Sequence, residues 1–378
     1  MLKTKTAIWM LIIVFICSFS VLLSLGSDIY REAPPLPEKV ITTDGKTIYS
    51  YADIDRGQLT WRSMGGHQLG SIWGHGSYVA PDWTADWIHR EAQAWLDIAA
   101  RDTYQQAFSE LPGSQQAALE HLLREDIRPN NYDAATGAIT ISPRRAAAMN
   151  VVSDHYVSLF GDDEATQQLR IDYAMKNNTL STVERREDLA AFVFWSAWAA
   201  VTQRPDADYS YTHNWPYDEQ VGNKLTASLM VWSILSICGL ILGIGALIWY
   251  HASLREEPLA DTPNKDSLFA MNATASQKVS GLYFVTAIGL FLLQIFLGAV
   301  TAHYAVEGQG FYGYNLSEWL PYSITRTWHT QLAVFWIATA WLGTGLYIAP
   351  ALSGYEPKYQ WQGALFLWVA LVVIVLGS

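Results

Sequence analysis

Five apolar runs set the pattern of the chain: residues 7–26, 225–250, 279–302, 327–350 and 360–378. Each is close to the roughly 20 residues that a helix needs to cross a bilayer, so each predicts a membrane span. Residues 27–222, between the first two, mix polar and apolar positions and are long enough to bury a core of their own. The first run follows Lys3 and Lys5, exceeds a usual signal core and is not followed by a small-x-small cleavage pattern. It therefore reads as an uncleaved anchor rather than a secretory signal. The two lysines put the N-terminus in the cytoplasm and 27–222 outside. Counting onward, loops 251–278 and 351–359 fall inside with Arg255, Lys265, Lys278 and Lys358, and loop 303–326 falls outside. Acidic residues in the first inner loop and Arg326 on the outer side run against the positive-inside rule.

The polar region opens on a proline-rich linker and a short strand-like stretch, with a hairpin expected around Asp44-Gly45. Helical signals follow at 81–108, 114–125, 143–159 and 183–201; the second begins SQQA and the fourth TVERRED, both rich in residues that favour helix N-termini. The region is expected to be mainly α.

Composition agrees with this division. The chain is 51% hydrophobic and only 16% charged, which points to a membrane protein with one polar insert. A net charge of -11 without any run of Lys or Arg excludes a nucleic-acid footprint. Cys17 and Cys238 lie in apolar runs as small fillers, and no CxxCH exists to attach a c-type haem. The last run stops at Ser378 with no polar tail, so the chain reads as the N-terminal portion of something larger.

The candidate chemistry centres on His329, one turn inside the run at 327–350. A histidine there is either a metal or haem ligand at fixed depth, or a polar residue hydrogen-bonded near the interface. Arg326 lies three residues earlier, on the same side of a helix. His75 lies between glycines, but neither it nor His67 or His89 has a cysteine pair beside it. Asp82, Asp86 and His89 share a helix face and read either as a metal site or, more simply, as a solvated helix N-terminus. His121, His155, His213 and His251 stand alone on polar surroundings and receive no role. No histidine follows His329, so these residues cannot supply a multi-histidine metal centre.

Four stretches together carry a family resemblance: WRSMGGHQLGSIWGHGSYVAPDWTADWIHREA from Trp61, YTHNWPYDEQVGN from Tyr211, HYAVEGQGFYG from His303 and RTWHTQLAVFWIATAWLGTGLYIAP from Arg326. In these motifs, and over essentially its full length, the chain resembles the bacterial quinol-dependent nitric oxide reductases of the haem-copper oxidase superfamily. The resemblance implies an α-helical protein of the bacterial inner membrane. An N-terminal anchor helix (1–26) would precede an extracytoplasmic, mainly-α, cytochrome c-like domain without haem (27–222). Residues 223–378 would then supply four transmembrane helices of an incomplete catalytic bundle.

The implied reaction converts two nitric oxide molecules, two electrons and two protons into nitrous oxide and water. His329 would be one axial ligand of the low-spin haem b, its partner imidazole lying on a later helix. Arg326 would pair with a haem propionate or anchor the helix at the interface. His303, Tyr304 and Glu307 would bind quinol, with ordinary loop capping as the plainer reading, and Phe335 and Trp336 would line the pocket. Gly76 and Tyr78 would touch a calcium ion. Haem b3 and the non-haem iron would belong to the remaining C-terminal half of the bundle. The lack of CxxCH disfavours the cytochrome c-dependent branch. A haem-free membrane scaffold derived from the family is the competing reading.

Overall fold

The computed structural model of the chain describes residues 4–253, 272–306, 313 and 316–377. The first helix, α1 (Thr4–Glu32), continues past the apolar run, and its apolar side chains, Trp9 and Phe15 among them, are exposed. Its far end is tied down where Glu32 meets Arg204 at 3.1 Å. Just beyond, the carbonyl of Pro35 accepts the Trp195 indole N–H at 2.9 Å.

The hairpin expected at Asp44-Gly45 joins β1 (Lys39–Thr42) to β2 (Thr47–Ser50), and Gly45 supplies the positive φ of +88° that the turn requires. Two further strands, β3 (Tyr132–Asp133) and β4 (Ala138–Ile141), complete a sheet of order β2-β1-β4-β3. Strands β1 and β4 run parallel, a pairing of distant segments that local pattern does not reveal.

Helices α2 (Tyr51–Ser63), α3 (Trp83–Tyr104), α4 (Gly113–Ile127), α5 (Pro143–Leu159), α6 (Gln167–Asp172) and α7 (Val183–Val201) share one core with Val40, Ile139 and Ile141 of this sheet. Helix α7 is the hub: it is buried continuously from Asp188 to Val201. Its neighbour α2 lies so close that a Cβ on Gly57 would fall 1.9 Å from the Asp188 carbonyl oxygen. Helix α2 begins in a reciprocal cap between Ser50 and Asp53, whose carboxylate accepts the Ser50 N–H at 2.7 Å. Inside the domain Glu91 takes the Arg145 Nε–H at 2.7 Å and the Trp87 indole N–H at 2.8 Å. That pair is almost fully buried, so losing either partner would leave an uncompensated charge, at a cost of about 3–5 kcal/mol.

Helix α4 begins where SQQA predicts a helix start, from Pro112 and without a side-chain cap. Two local expectations need correction. Asp82 does cap α3, but as a buried residue and not a solvated one: it accepts from Ala85 N at 3.0 Å, Gly74 N at 2.7 Å and Ser71 Oγ at 2.7 Å. His155 and His213 are not alone on polar surfaces either. His155 Nε2 is buried without a hydrogen-bond partner among the described residues, and His213 stacks on Tyr209 with ring centroids 4.5 Å apart.

Among the described residues, four helices are long and apolar enough to cross a membrane: α8 (Ala227–Ser253), α9 (Ala275–Val306), α10 (Tyr322–Ser353) and α11 (Gln360–Gly377). Helices α9 and α10 pack side by side, and α11 rests on α9 through Tyr283 Oη to Ala364 O and Trp368 Nε1 to Thr286 Oγ1 at 2.9 Å. The apolar faces of α9–α11 are otherwise largely uncovered, and α8 has no buried residue; these faces are left for lipid or for further helices. Helix α10 starts five residues before its apolar run, because Tyr322 is buried against Ala174 of the polar domain. It also passes Pro350 and stops at Gly354, whose φ of +66° ends it.

The Ser50→Ala variant is expected to lose about 0.5–2 kcal/mol through the α2 cap, measured by denaturant unfolding of the domain. Burial, reinforced by Arg90 and opposed by Asp86, holds the His155 imidazole below its ordinary pKa. A base so depressed favours folding while neutral. Domain stability should therefore fall as pH drops below about 6.5, where the unfolded chain takes up its proton first. Thermal melts across that range should show a weaker pH dependence in His155→Leu.

Candidate functional site

His329 lies seven residues into α10, two turns rather than one, because the helix begins at Tyr322. Its ring rests on α9 where Gly298 leaves room: a Cβ on Gly298 would come within 2.7 Å of the imidazole Cε1. Through that gap Nδ1 reaches the Gln294 carbonyl oxygen at 2.9 Å. A carbonyl only accepts, so Nδ1 carries a proton, and in the neutral imidazole Nε2 is the lone-pair nitrogen. Nε2 has no hydrogen-bond partner among the described residues.

His329 and Gly298 line a cavity of about 480 Å³ together with Thr301, Arg326, Thr330 and Tyr78. The i,i+3 spacing of Arg326 and His329 thus brings both to one site, as a helix requires. The Arg326 Nε–H donates to Gln68 Oε1 at 3.1 Å, and Nη1 donates to the Tyr322 hydroxyl at 3.2 Å. Its guanidinium also lies 5.4 Å from the Tyr78 ring centroid, a cation–π distance. Gln68 and Tyr78 belong to the polar domain, so the rim of the cavity is built from both halves of the molecule. Gly76, with φ of +80°, donates its N–H to Ser71 Oγ at 2.7 Å. Asp82 is committed to the hydrogen bonds described above, and no acidic cluster adjoins Gly76 and Tyr78 among the described residues.

The other expected residues lie elsewhere. Tyr304 is buried, donates its hydroxyl to the Leu320 carbonyl at 2.7 Å, and packs with Val300, Tyr322 and Ala174. His303 occupies the last turn of α9, half-buried, and neither residue lines the His329 cavity. Glu307 lies outside the described residues. Trp336 gives its indole N–H to Gln294 Oε1 at 2.7 Å, and with Phe335 it packs on the leucines of the α9–α10 seam. His75 meets Trp215 edge-on at 4.7 Å and His67 meets Trp61 at 4.1 Å. Asp86 holds Arg90 at 2.8 Å, and His89 lies 3.4 Å from Asp218.

A reading of the sequence alone misses Gly298, Gln294 and Gln68. Gln294 does carry a signal, as the one amide or charged side chain in the run 279–302. Gly298 and Gln68 act through a close approach and a long-range contact, neither of which leaves a local pattern.

Comparison with known proteins divides the chain in the same place. Residues 37–217 match the NorB cytochrome c-like family, a domain of nitric oxide reductase. Residues 278–378 match the family described as cytochrome C and quinol oxidase polypeptide I. The NorB polypeptide of the nitric oxide reductase from Stutzerimonas stutzeri is 30% identical over 105 residues, which is 27% of this chain and 21% of that protein. The matched stretch thus spans about a fifth of that relative.

Gly298→Ala is expected to destabilise the α9–α10 pair by about 1–3 kcal/mol, as overpacking does. Gly281→Ala in the same helix meets no atom within 4 Å and should leave the melting temperature in detergent unchanged or raise it.

Proposed function

We propose that this chain, whose residues 37–217 and 278–378 match the two families above, is a NorB-like member of the haem-copper oxidase superfamily that serves a quinol-dependent nitric oxide reductase of the bacterial inner membrane. In this reading 27–222 is extracytoplasmic and α1 is the anchor. The chain would provide the quinol-side region and one ligand of the low-spin haem b. The observation that carries the proposal is the state of His329. Its Nδ1–H is held by the Gln294 carbonyl, its Nε2 is free of hydrogen bonds among the described residues, and a guanidinium stands at the rim of the same cavity.

These residues fit one face of a haem. His329 would present Nε2 to the iron, and Gly298 would keep the ring from being pushed aside. Arg326, already oriented by Gln68, has a planar fork suited to a propionate carboxylate. When bound, low-spin haem accepts and passes single electrons. By the family resemblance, the second axial imidazole and the ligands of haem b3 and the non-haem iron would lie on later helices of the bundle.

Quinol oxidation releases two electrons and two protons, which is what the reduction of two nitric oxide molecules to nitrous oxide and water consumes. His303 and Glu307 would exchange those protons near the outer face. Tyr304 would support the pocket by fixing the end of α9, because its hydroxyl is engaged with Leu320.

In the assembled full-length enzyme, His329→Ala should abolish the low-spin haem signal while the high-spin signal remains. A low-spin signal that survives the substitution rules out ligation by His329.

A further inference from the structure

Gln294 places an amide deep in an apolar span, where a polar group costs free energy unless it is hydrogen-bonded, so its partners define its role. It touches α10 twice. Its main-chain carbonyl takes the His329 Nδ1–H at 2.9 Å, and its side-chain Oε1 takes the Trp336 indole N–H at 2.7 Å. His329 and Trp336 are seven residues apart, two turns along one face of α10. On α9, Phe291 lies edge-on to Trp336 with centroids 5.2 Å apart, and Gly298 opens the slot for the imidazole. Phe291, Gln294 and Gly298 therefore form one row that receives the indole, the amide contact and the histidine in order. Any slide or rotation of α10 that broke the Trp336 contact would carry Nδ1 off its carbonyl.

We propose that Gln294 and Trp336 are a positioning pair for His329, an inference that rests on the reading of His329 as a haem ligand. The pair locks the register of α10 on α9, keeps the imidazole in its Nδ1–H tautomer and aims Nε2 at the iron. A hydrogen bond from Nδ1–H raises the basicity of a ligating imidazole and so favours ferric haem. Loosening the register weakens that bond and moves the equilibrium toward ferrous haem.

The test uses the assembled full-length enzyme, with redox titration and electron paramagnetic resonance of the low-spin haem. Gln294→Leu removes the acceptor, and Trp336→Phe removes the donor while keeping a ring against Phe291. Each is expected to retain low-spin haem at wild-type content and to shift its reduction equilibrium toward ferrous by up to about tenfold, about 59 mV for one electron. The double variant should shift it no further than the larger single variant, as two halves of one contact require. Unchanged potentials and g values in Trp336→Phe, with low-spin haem lost in His329→Ala, overturn the positioning role alone. Low-spin haem retained in His329→Ala overturns the ligation beneath it. If Gln294→Leu fails to assemble, Trp336→Phe still decides the question.

Discussion

Two apolar helices surrounded by lipid gain little by hiding apolar surface from each other, so their pairing must come from close approach and hydrogen bonding. The α9–α10 seam meets that constraint at three levels. Near one end, Gln277 donates its amide to the Tyr347 carbonyl at 2.8 Å. Further along, Gly343 faces Tyr283, where a Cβ would lie 2.9 Å from that of the tyrosine. At the third, Gly298 and Gln294 receive His329 and Trp336. The residue with the most chemistry is also part of what holds the seam together.

The polar domain reaches into this arrangement through a small apolar cluster around Ala174 and Tyr322 and through hydrogen bonds to main-chain groups. Ala174 O accepts the Tyr322 N–H at 3.2 Å, Met175 O accepts the Ser317 hydroxyl at 3.1 Å, and Glu318 accepts the Asn177 N–H at 3.0 Å. With Gln68 on Arg326, these bonds set the first two turns of α10 and orient the guanidinium.

What can be read from sequence follows from where the information lies. The apolar runs mark α8–α11 because span length is a local property. Helices α5 and α7 match their expected bounds because Ser142 and Thr182 cap them with their own side chains. Helix α2 escapes a local reading: Gly57 weakens its helical signal, yet the glycine is there to admit the Asp188 carbonyl. The sequence pattern puts His329 one turn too near the start of its helix, because the first residues of α10 are polar and owe their helix to contacts with the other domain. The partners of His329 and Tyr304 are main-chain carbonyls, at Gln294 and Leu320, which carry no side-chain signature.

The seam at Tyr322 also constrains the order in which the protein is made. The carbonyls of Ala174 and Met175 belong to a segment synthesised well before residues 317–322, and chains fold largely from the N-terminus as they emerge. The domain can therefore be in place when the start of α10 arrives. It would then act as a template for its own membrane helices, fixing how far α10 protrudes and, through it, the height of His329 in the bilayer.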